Sequence, residues 1–297
     1  MPYVATLVSN SAVTHLNDEL LASAVQAVRA SETPKILKSG VAADIFFEDV
    51  SLEDAEAALR KLTGDKQIDV FVQASKGRRK KLLIADMDST IIQQECIDEL
   101  AAELGLKDKI AAITERAMQG EIDFEPALRE RVGLLAGLPA TAVEKVLKER
   151  IDLTPGAKTL VQTMKANGAY CALVSGGFTH FTSSIAKTVG FNENRANTLI
   201  EENGKLSGDV AEPILGREAK RQRLEELVAE LELDFSDVLA VGDGANDLAM
   251  IDRAGLGIAF HAKPAVAKAA DMHVDYGDLT ALLYIQGYSE DEFAHVG

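Results

Sequence analysis

The chain has 297 residues, 47% of them hydrophobic, with 22 glycines and 7 prolines, a balance that points to a globular fold of one large or two ordinary domains. A formal net charge of −16 disfavours nucleic acid and anionic membrane surfaces as partners and obliges any phosphate site to be built from local cations. No apolar run is long enough to span a bilayer and no basic–apolar–cleavage leader opens the sequence, so a cytoplasmic protein is expected. The acidity is uneven: the first eighty residues carry 10 basic and 11 acidic side chains, the rest 21 and 36, which favours a division near residue 80. Cys96 and Cys171 are too few for a disulfide framework, and Cys171 sits in an apolar run as a structural thiol.

In chain order, Tyr3–Val8 reads as a strand, Asn17–Arg29 as a helix, Asp44–Glu48 as a strand, Leu52–Leu62 as a helix and Asp69–Gln73 as a strand. This alternation predicts a small ferredoxin-like α+β unit over 1–76, with no catalytic constellation of its own. Gly77-Arg-Arg-Lys-Lys81 follows as a basic, solvated linker over 77–81.

From residue 82 to 297 the pattern becomes strand–helix alternation with continuous apolar strands. Strands are expected at Leu82–Ala85, Tyr170–Val174, Val238–Val241, Gly257–Ala259 and His273–Val274. Helices are expected at Lys158–Asn167, Phe181–Val189, Ala219–Leu231 and Leu248–Arg253. That is the signature of an α/β doubly wound parallel sheet. Two interruptions break it. Between Ile92 and Leu153 the apolar residues recur at helical spacing, and a connection of roughly 60 residues is too long for an ordinary βα loop. A helical cap inserted at 92–153 accounts for it. At Thr198–Val210, Asn203-Gly204 between extended segments signals a β-hairpin.

The polar residues that end the apolar strands carry the chemistry. Leu82–Ala85 runs into Asp86-Met-Asp88-Ser-Thr90. Leu173-Val174 runs into Ser175-Gly176-Gly177, whose glycines let backbone N–H groups approach an anion at the start of the next helix. Val241 runs into Gly242-Asp243-Gly-Ala-Asn246-Asp247, and Lys220 lies near a helix start between the last two motifs. Each piece alone is unremarkable, as a turn, a loop or a solvated lysine. Gly242-x-Gly244 does not complete a dinucleotide fingerprint, because position 247 is Asp; no P-loop is present, and the 5 histidines lack metal-site spacing. Together the pieces put carboxylates, a hydroxyl and one lysine at the carboxyl ends of parallel strands, where ligands bind. Clustered carboxylates there cost desolvation energy unless a cation or a proton compensates them, which predicts a hard metal ion, a catalytic pair, or both.

In order and strand context these motifs resemble those of the haloacid dehalogenase superfamily of phosphatases, over about residues 81–290. The resemblance implies a Rossmann-like core and a Mg²⁺-dependent phosphoric monoester hydrolase. Asp86 would attack phosphorus, and Asp88 would protonate the leaving oxygen and then take a proton from water. Mg²⁺ would sit between Asp86, the backbone carbonyl of Asp88 and Asp243, with Asp247 as a nearby ligand or orienting group. Ser175 and the Gly176 N–H would hold phosphate oxygens, and Lys220 would neutralise charge on nucleophile and phosphoryl group.

The cap motifs resemble one branch of that superfamily, the phosphoserine phosphatases. Glu95, nine residues after the nucleophile, matches the glutamate that binds the substrate ammonium. Arg131 matches the arginine that binds the substrate carboxylate, with Arg129 as its rival. Met118 and Phe124 match apolar residues that close over the substrate, and Asn246 matches a further phosphate contact. The N-terminal unit resembles the ACT-like extensions of longer members and leaves three roles open: ligand sensing, formation of a homodimer, or a packing appendage. The expected activity is hydrolysis of O-phosphoserine to serine, the last step of serine biosynthesis. The alternatives are a related phosphatase of another small phosphomonoester and a phosphoamino-acid-binding protein without turnover.

Overall fold

The computed structural model describes residues 2–10, 12–118 and 121–295. The N-terminal part runs β1 (Tyr3–Ser9), α1 (Asp18–Ala27), β2 (Lys35–Lys38), β3 (Ala42–Phe47), α2 (Leu52–Thr63) and β4 (Ile68–Ala74). Its strands form an antiparallel sheet in the order β2-β3-β1-β4, the ferredoxin-like arrangement. Both helices start on side-chain caps: the Asn17 side chain accepts from Leu20 N, and Ser51 Oγ accepts from Asp54 N. Leu20, Leu21 and Leu59 pack against Leu7, Ile45 and Phe47 on one face of the sheet. Strand β2 escaped the sequence reading because Lys-Ile-Leu-Lys is a short edge strand with Ile36 turned outward, 49% exposed.

The rest of the chain runs β5 (Leu82–Ala85), α3 (Cys96–Ala102), α4 (Lys107–Met118), α5 (Phe124–Gly133), α6 (Thr141–Glu149), α7 (Ala157–Ala166), β6 (Tyr170–Phe178), α8 (Thr179–Val189) and β7 (Glu193–Asn197). It continues with β8 (Leu199–Glu202), β9 (Lys205–Val210), α9 (Arg217–Glu230), β10 (Val238–Gly242), α10 (Leu248–Arg253), β11 (Leu256–Phe260), α11 (Pro264–Ala269), β12 (Met272–Val274) and α12 (Ala281–Ile285). Six strands form a parallel sheet in the order β12-β11-β10-β5-β6-β7.

Burial of both faces explains the continuous apolar strands. Leu83 and Ala85 face α7, α8 and α12, while Leu82 and Ile84 face α9 and α10. Strand β5 is central, with β6 on one side and β10 on the other, so the chain reverses its strand order there. The carboxyl ends beside such a switch point form the natural crevice. Strand β7, read from Glu-Asn-Arg-Ala-Asn, has no apolar pattern to betray it and lies at the sheet edge.

Helices α3–α6 form the insertion after β5, closed at its base by an antiparallel bridge between Ile92 and Leu153. Strands β8 and β9 form the expected hairpin, with Asn203 (φ 52°) and Gly204 (φ 75°) both left-handed at its turn. The hairpin also clasps the cap: Leu206 N donates to Leu138 O, and Gly137 N to Leu206 O, both at 2.8 Å.

Two sequence expectations need correction. The basic segment at 77–81 is not uniformly solvated. Arg78 is only 8% exposed and forms a salt bridge with Asp44 of β3, because its guanidinium fills a polar gap between the two sheets' domains. Gly176 and Gly177 also do not open a helix. Strand β6 runs on through Phe178 and α8 starts at Thr179, so any anion contact there comes from extended backbone rather than a helix terminus. Among the described residues, no helix is long and apolar enough to cross a membrane.

Candidate active site

Asp86 is the first residue beyond β5, and its N–H extends the ladder by donating to Val241 O at 3.0 Å. The chain then turns sharply. Asp88 is extended (φ −66°, ψ 136°) and Ser89 is left-handed (φ 55°). This turn swings the Asp88 carboxylate across to the end of β6, where Oδ2 accepts from Ser175 Oγ at 3.3 Å and Oδ1 from Cys96 N at 2.8 Å. Gly177 makes that approach possible, since a Cβ there would stand 2.7 Å from Asp88 Oδ2. Ser175 Oγ in turn accepts from Gly177 N at 2.8 Å, which fixes the hydroxyl.

Strand β10 delivers the second acidic pair. Asp247 is fully buried and folds back over Gly242, where a Cβ would lie 2.3 Å from its carboxyl carbon. Its Oδ2 accepts from Gly244 N at 3.1 Å. Asp243 Oδ1 accepts from Thr90 Oγ1 at 3.4 Å. Lys220, in the first turn of α9 and 2% exposed, donates to Asp86 Oδ1 at 2.5 Å and to Asp247 Oδ1 at 2.7 Å.

Carboxylate oxygens of Asp86, Asp243 and Asp247 all lie within 4.8 Å of one another. One ammonium cannot balance three carboxylates. Burial, and then Asp247, push the Asp86 carboxyl up against the opposing pull of Lys220. Burial, Asp247 and Glu95 push Asp243 to about 7. Burial opposes the charge on Lys220, but Asp247 and Asp86 outweigh it and hold the ammonium above the ordinary lysine range. An all-oxygen cluster with excess negative charge fits a hard divalent cation. The Asp88 side chain stands outside this cluster, at about 6 through burial and the nearby charge of Glu95.

A cavity of about 490 Å³ opens over these strand ends and under the cap. Asp86, Asp88, Ser175, Gly176, Asp243 and Asn246 line it from the core, and Glu95, Phe124 and Arg131 from the cap. The two arginines lie apart: Arg131 lines the cavity, while Arg129 is on the surface, paired with Glu125 and Glu212. The Phe124 ring lies against Gly176 and Gly216, bringing the cap onto the core. The expected contact of the Met118 side chain lies outside the described residues. Lys220 supports the cavity from behind rather than lining it.

Thr114, Arg217 and Lys263 also line the cavity and were missed from sequence. Arg217 precedes Lys220 by three residues on one helix face, a spacing that marks it. Lys263 follows β11, and its place just beyond a parallel strand end is the signal. Thr114 gives no sequence signal, since it reaches the cavity only through the packing of α4 against α5.

Residues 83–252 match the model of the haloacid dehalogenase-like hydrolase family. A phosphoserine phosphatase of Streptomyces coelicolor is 39% identical over 298 residues, covering 95% of this chain and 72% of its own. Among solved structures, a HAD family hydrolase of Salmonella enterica serovar Typhi superposes with a TM-score of 0.84 at 30% identity, covering 95% of this chain and 97% of that one. A substrate-bound phosphoserine phosphatase superposes with a TM-score of 0.66 at 42% identity, covering 69% of this chain and 98% of that one. Identity sustained over nearly the whole chain, on top of a family model matched across more than half of it, places this protein among the haloacid dehalogenase-like hydrolases, in the phosphoserine phosphatase family.

Proposed function

We propose that the chain hydrolyses O-phosphoserine to serine and inorganic phosphate through an aspartyl-phosphate on Asp86, as the last step of serine biosynthesis. One observation carries the reading: a single cavity joins the Asp86–Lys220–Asp247 chain to a carboxylate and a guanidinium from the cap. The first half selects phosphoryl transfer, the second an α-amino acid.

Asp86 attacks phosphorus, and the bond to the serine oxygen breaks as Asp88 protonates that oxygen. Water then attacks the acyl phosphate, Asp88 takes its proton, and phosphate leaves with Asp86 regenerated. Ser175 Oγ, the Gly176 N–H and Asn246 bind phosphoryl oxygens. Lys220 keeps the Asp86 carboxylate oriented and offsets the negative charge that builds between nucleophile and phosphoryl group. Asp86, the backbone carbonyl of Asp88, Asp243 and Asp247 would hold Mg²⁺, which supplies positive charge against carboxylate–phosphate repulsion. Glu95 binds the substrate ammonium and Arg131 its carboxylate, while Phe124 covers the bound amino acid and excludes water.

The test is phosphate release across a panel of phosphomonoesters with Mg²⁺ present. Phosphoserine should be the preferred substrate, and Asp86→Asn should abolish turnover. Glu95→Gln and Arg131→Lys should reduce phosphoserine turnover far more than that of p-nitrophenyl phosphate; equal losses would reject the amino-acid assignment. The same reading assigns 1–76 to an ACT-like unit joined through 77–81 to a catalytic unit over 82–297, capped by 92–153. It takes the protein to be cytoplasmic, and sedimentation of the full chain decides whether the N-terminal unit forms a homodimer or leaves the chain a monomer.

A further inference from the structure

Glu95 and Arg131 carry opposite charges and line the same cavity, yet among the described residues their hydrogen bonds go to other partners. Each is met by a hydroxyl. Ser89 Oγ donates to Glu95 Oε1 at 2.6 Å, a short charge-assisted bond. Arg131 Nη1 donates to Thr114 Oγ1 at 3.2 Å. The Thr114 hydroxyl hydrogen is already committed to Ile110 O at 3.1 Å, so a lone pair faces the guanidinium. Arg131 Nε is anchored separately on Ala127 O at 3.2 Å.

Both props come at a structural cost or by design of the local chain. Ser89 holds a left-handed backbone (φ 55°) that a side-chain-bearing residue seldom adopts. Its N–H closes the loop on Gln94 O at 3.3 Å, which brings its hydroxyl beneath the Glu95 side chain. Glu95 is exposed at the start of α3 and makes no capping bond there, so nothing in its own helix fixes it. Left free, the Glu95 carboxylate or the Arg131 guanidinium would sample many rotamers and meet its matching charge on a zwitterion in only a few of them.

We propose that Ser89 and Thr114 are positioning residues that fix Glu95 and Arg131, each in its own place, and so set the enzyme's preference for substrates carrying both an ammonium and a carboxylate. This rests on the assignment of Glu95 and Arg131 made above. Preorganisation of this kind raises discrimination without adding a substrate contact.

Three substrates separate the two props: phosphoserine, phosphoethanolamine (no carboxylate) and 3-phosphooxypropanoate (no amine). Ser89→Ala should lower kcat/KM about tenfold on the two amine-bearing substrates and much less on 3-phosphooxypropanoate, the size expected for loss of a hydrogen bond to a charged group. Ser89→Gly should show the same pattern even though it relieves the left-handed backbone. Thr114→Val should show the mirror pattern, sparing phosphoethanolamine, and Thr114→Ser should restore the parent values. A uniform loss on all three substrates, or no loss, overturns the proposal. Glu95→Gln and Arg131→Lys run alongside: if these do not discriminate, the amino-acid assignment itself fails. If they do and the hydroxyl variants do not, only the positioning role fails.

Discussion

The guanidinium of Arg78 grips the carboxylate of Asp44 with two parallel bonds, Nη1 to Oδ2 at 2.7 Å and Nη2 to Oδ1 at 3.0 Å, where the N-terminal sheet meets the catalytic core. Nη2 also donates to Thr6 Oγ1 at 2.9 Å and Tyr284 O at 3.1 Å, and Nε to Ile285 O at 2.9 Å. With the pair nearly water-free, the cost of removing one partner is the burial of the other's uncompensated charge. Asp44→Ala should therefore destabilise the protein by about 3–5 kcal/mol, read as a lower urea midpoint. Asp44→Leu combined with Arg78→Met should recover much of that loss, because no charge is then stranded. A shift within the range of a surface pair for Asp44→Ala would mean that water reaches the site.

The three carboxylates around Lys220 make folding stability depend on the cation. Removing the divalent ion with a chelator should lower the melting temperature, and Mg²⁺ at a hundredfold excess over its dissociation constant should restore about 2.7 kcal/mol. Asp243→Asn should shrink that increment by weakening the site. Lys220→Met should cut kcat on the order of 10²–10³-fold, as expected for loss of a preorganised charge. The same variant should make the chelated protein less stable than the parent, since Asp86 and Asp247 then face each other without an ammonium between them. A melting temperature indifferent to chelator would argue against a cation at this cluster.

The catalytic face was readable in the sequence because it sits at strand ends, where an apolar run stops and a polar residue must follow. Leu82–Ala85 into Asp86, and Val241 into Asp243, show it directly. The ferredoxin-like unit was readable because β1, β3 and β4 are largely buried and α1 and α2 carry capping residues. What stayed hidden depends on tertiary placement. Nothing local marks Arg78 as buried while Lys81, three residues on, is solvated, because the cavity that takes the guanidinium is built by Thr6, Asp44 and the carbonyls of α12. Thr114 faces the cavity only because α4 and α5 cross there, and β7 is a strand only because β6 offers it an edge.

Both thiols are sealed inside the fold. Burial pushes the Cys171 thiol up to about 12, and burial together with the charge of Asp88 raises Cys96 well above the ordinary range. Since the thiolate is the reactive form, neither cysteine should react with a disulfide reagent at neutral pH in the native protein. Two equivalents should react in denaturant. One fast-reacting thiol in the native state would show that the cap opens far enough to expose Cys96, at the start of α3.

Gly177 offers the cleanest separation of geometry from chemistry in the site. Its backbone is one that any residue can adopt, so alanine brings no torsional penalty, only a methyl group. That methyl would stand 2.7 Å from Asp88 Oδ2 and 3.0 Å from Ser175 Oγ, both too close to tolerate without movement. The Cys96 N–H holds the far oxygen of the carboxylate at 2.8 Å, so Asp88 can yield only by rotating away from β6. Gly177→Ala should then reduce kcat by about two orders of magnitude, the effect of displacing a proton-transfer group by roughly an ångström. Urea unfolding should change little, because the displaced side chains border an open cavity rather than the apolar core. The loss should fall mainly on the step that needs an acid. Substrates with good leaving groups, such as p-nitrophenyl phosphate, should therefore suffer much less than phosphoserine; equal loss on both would mean that the methyl disturbs phosphate binding at Ser175 rather than proton delivery from Asp88.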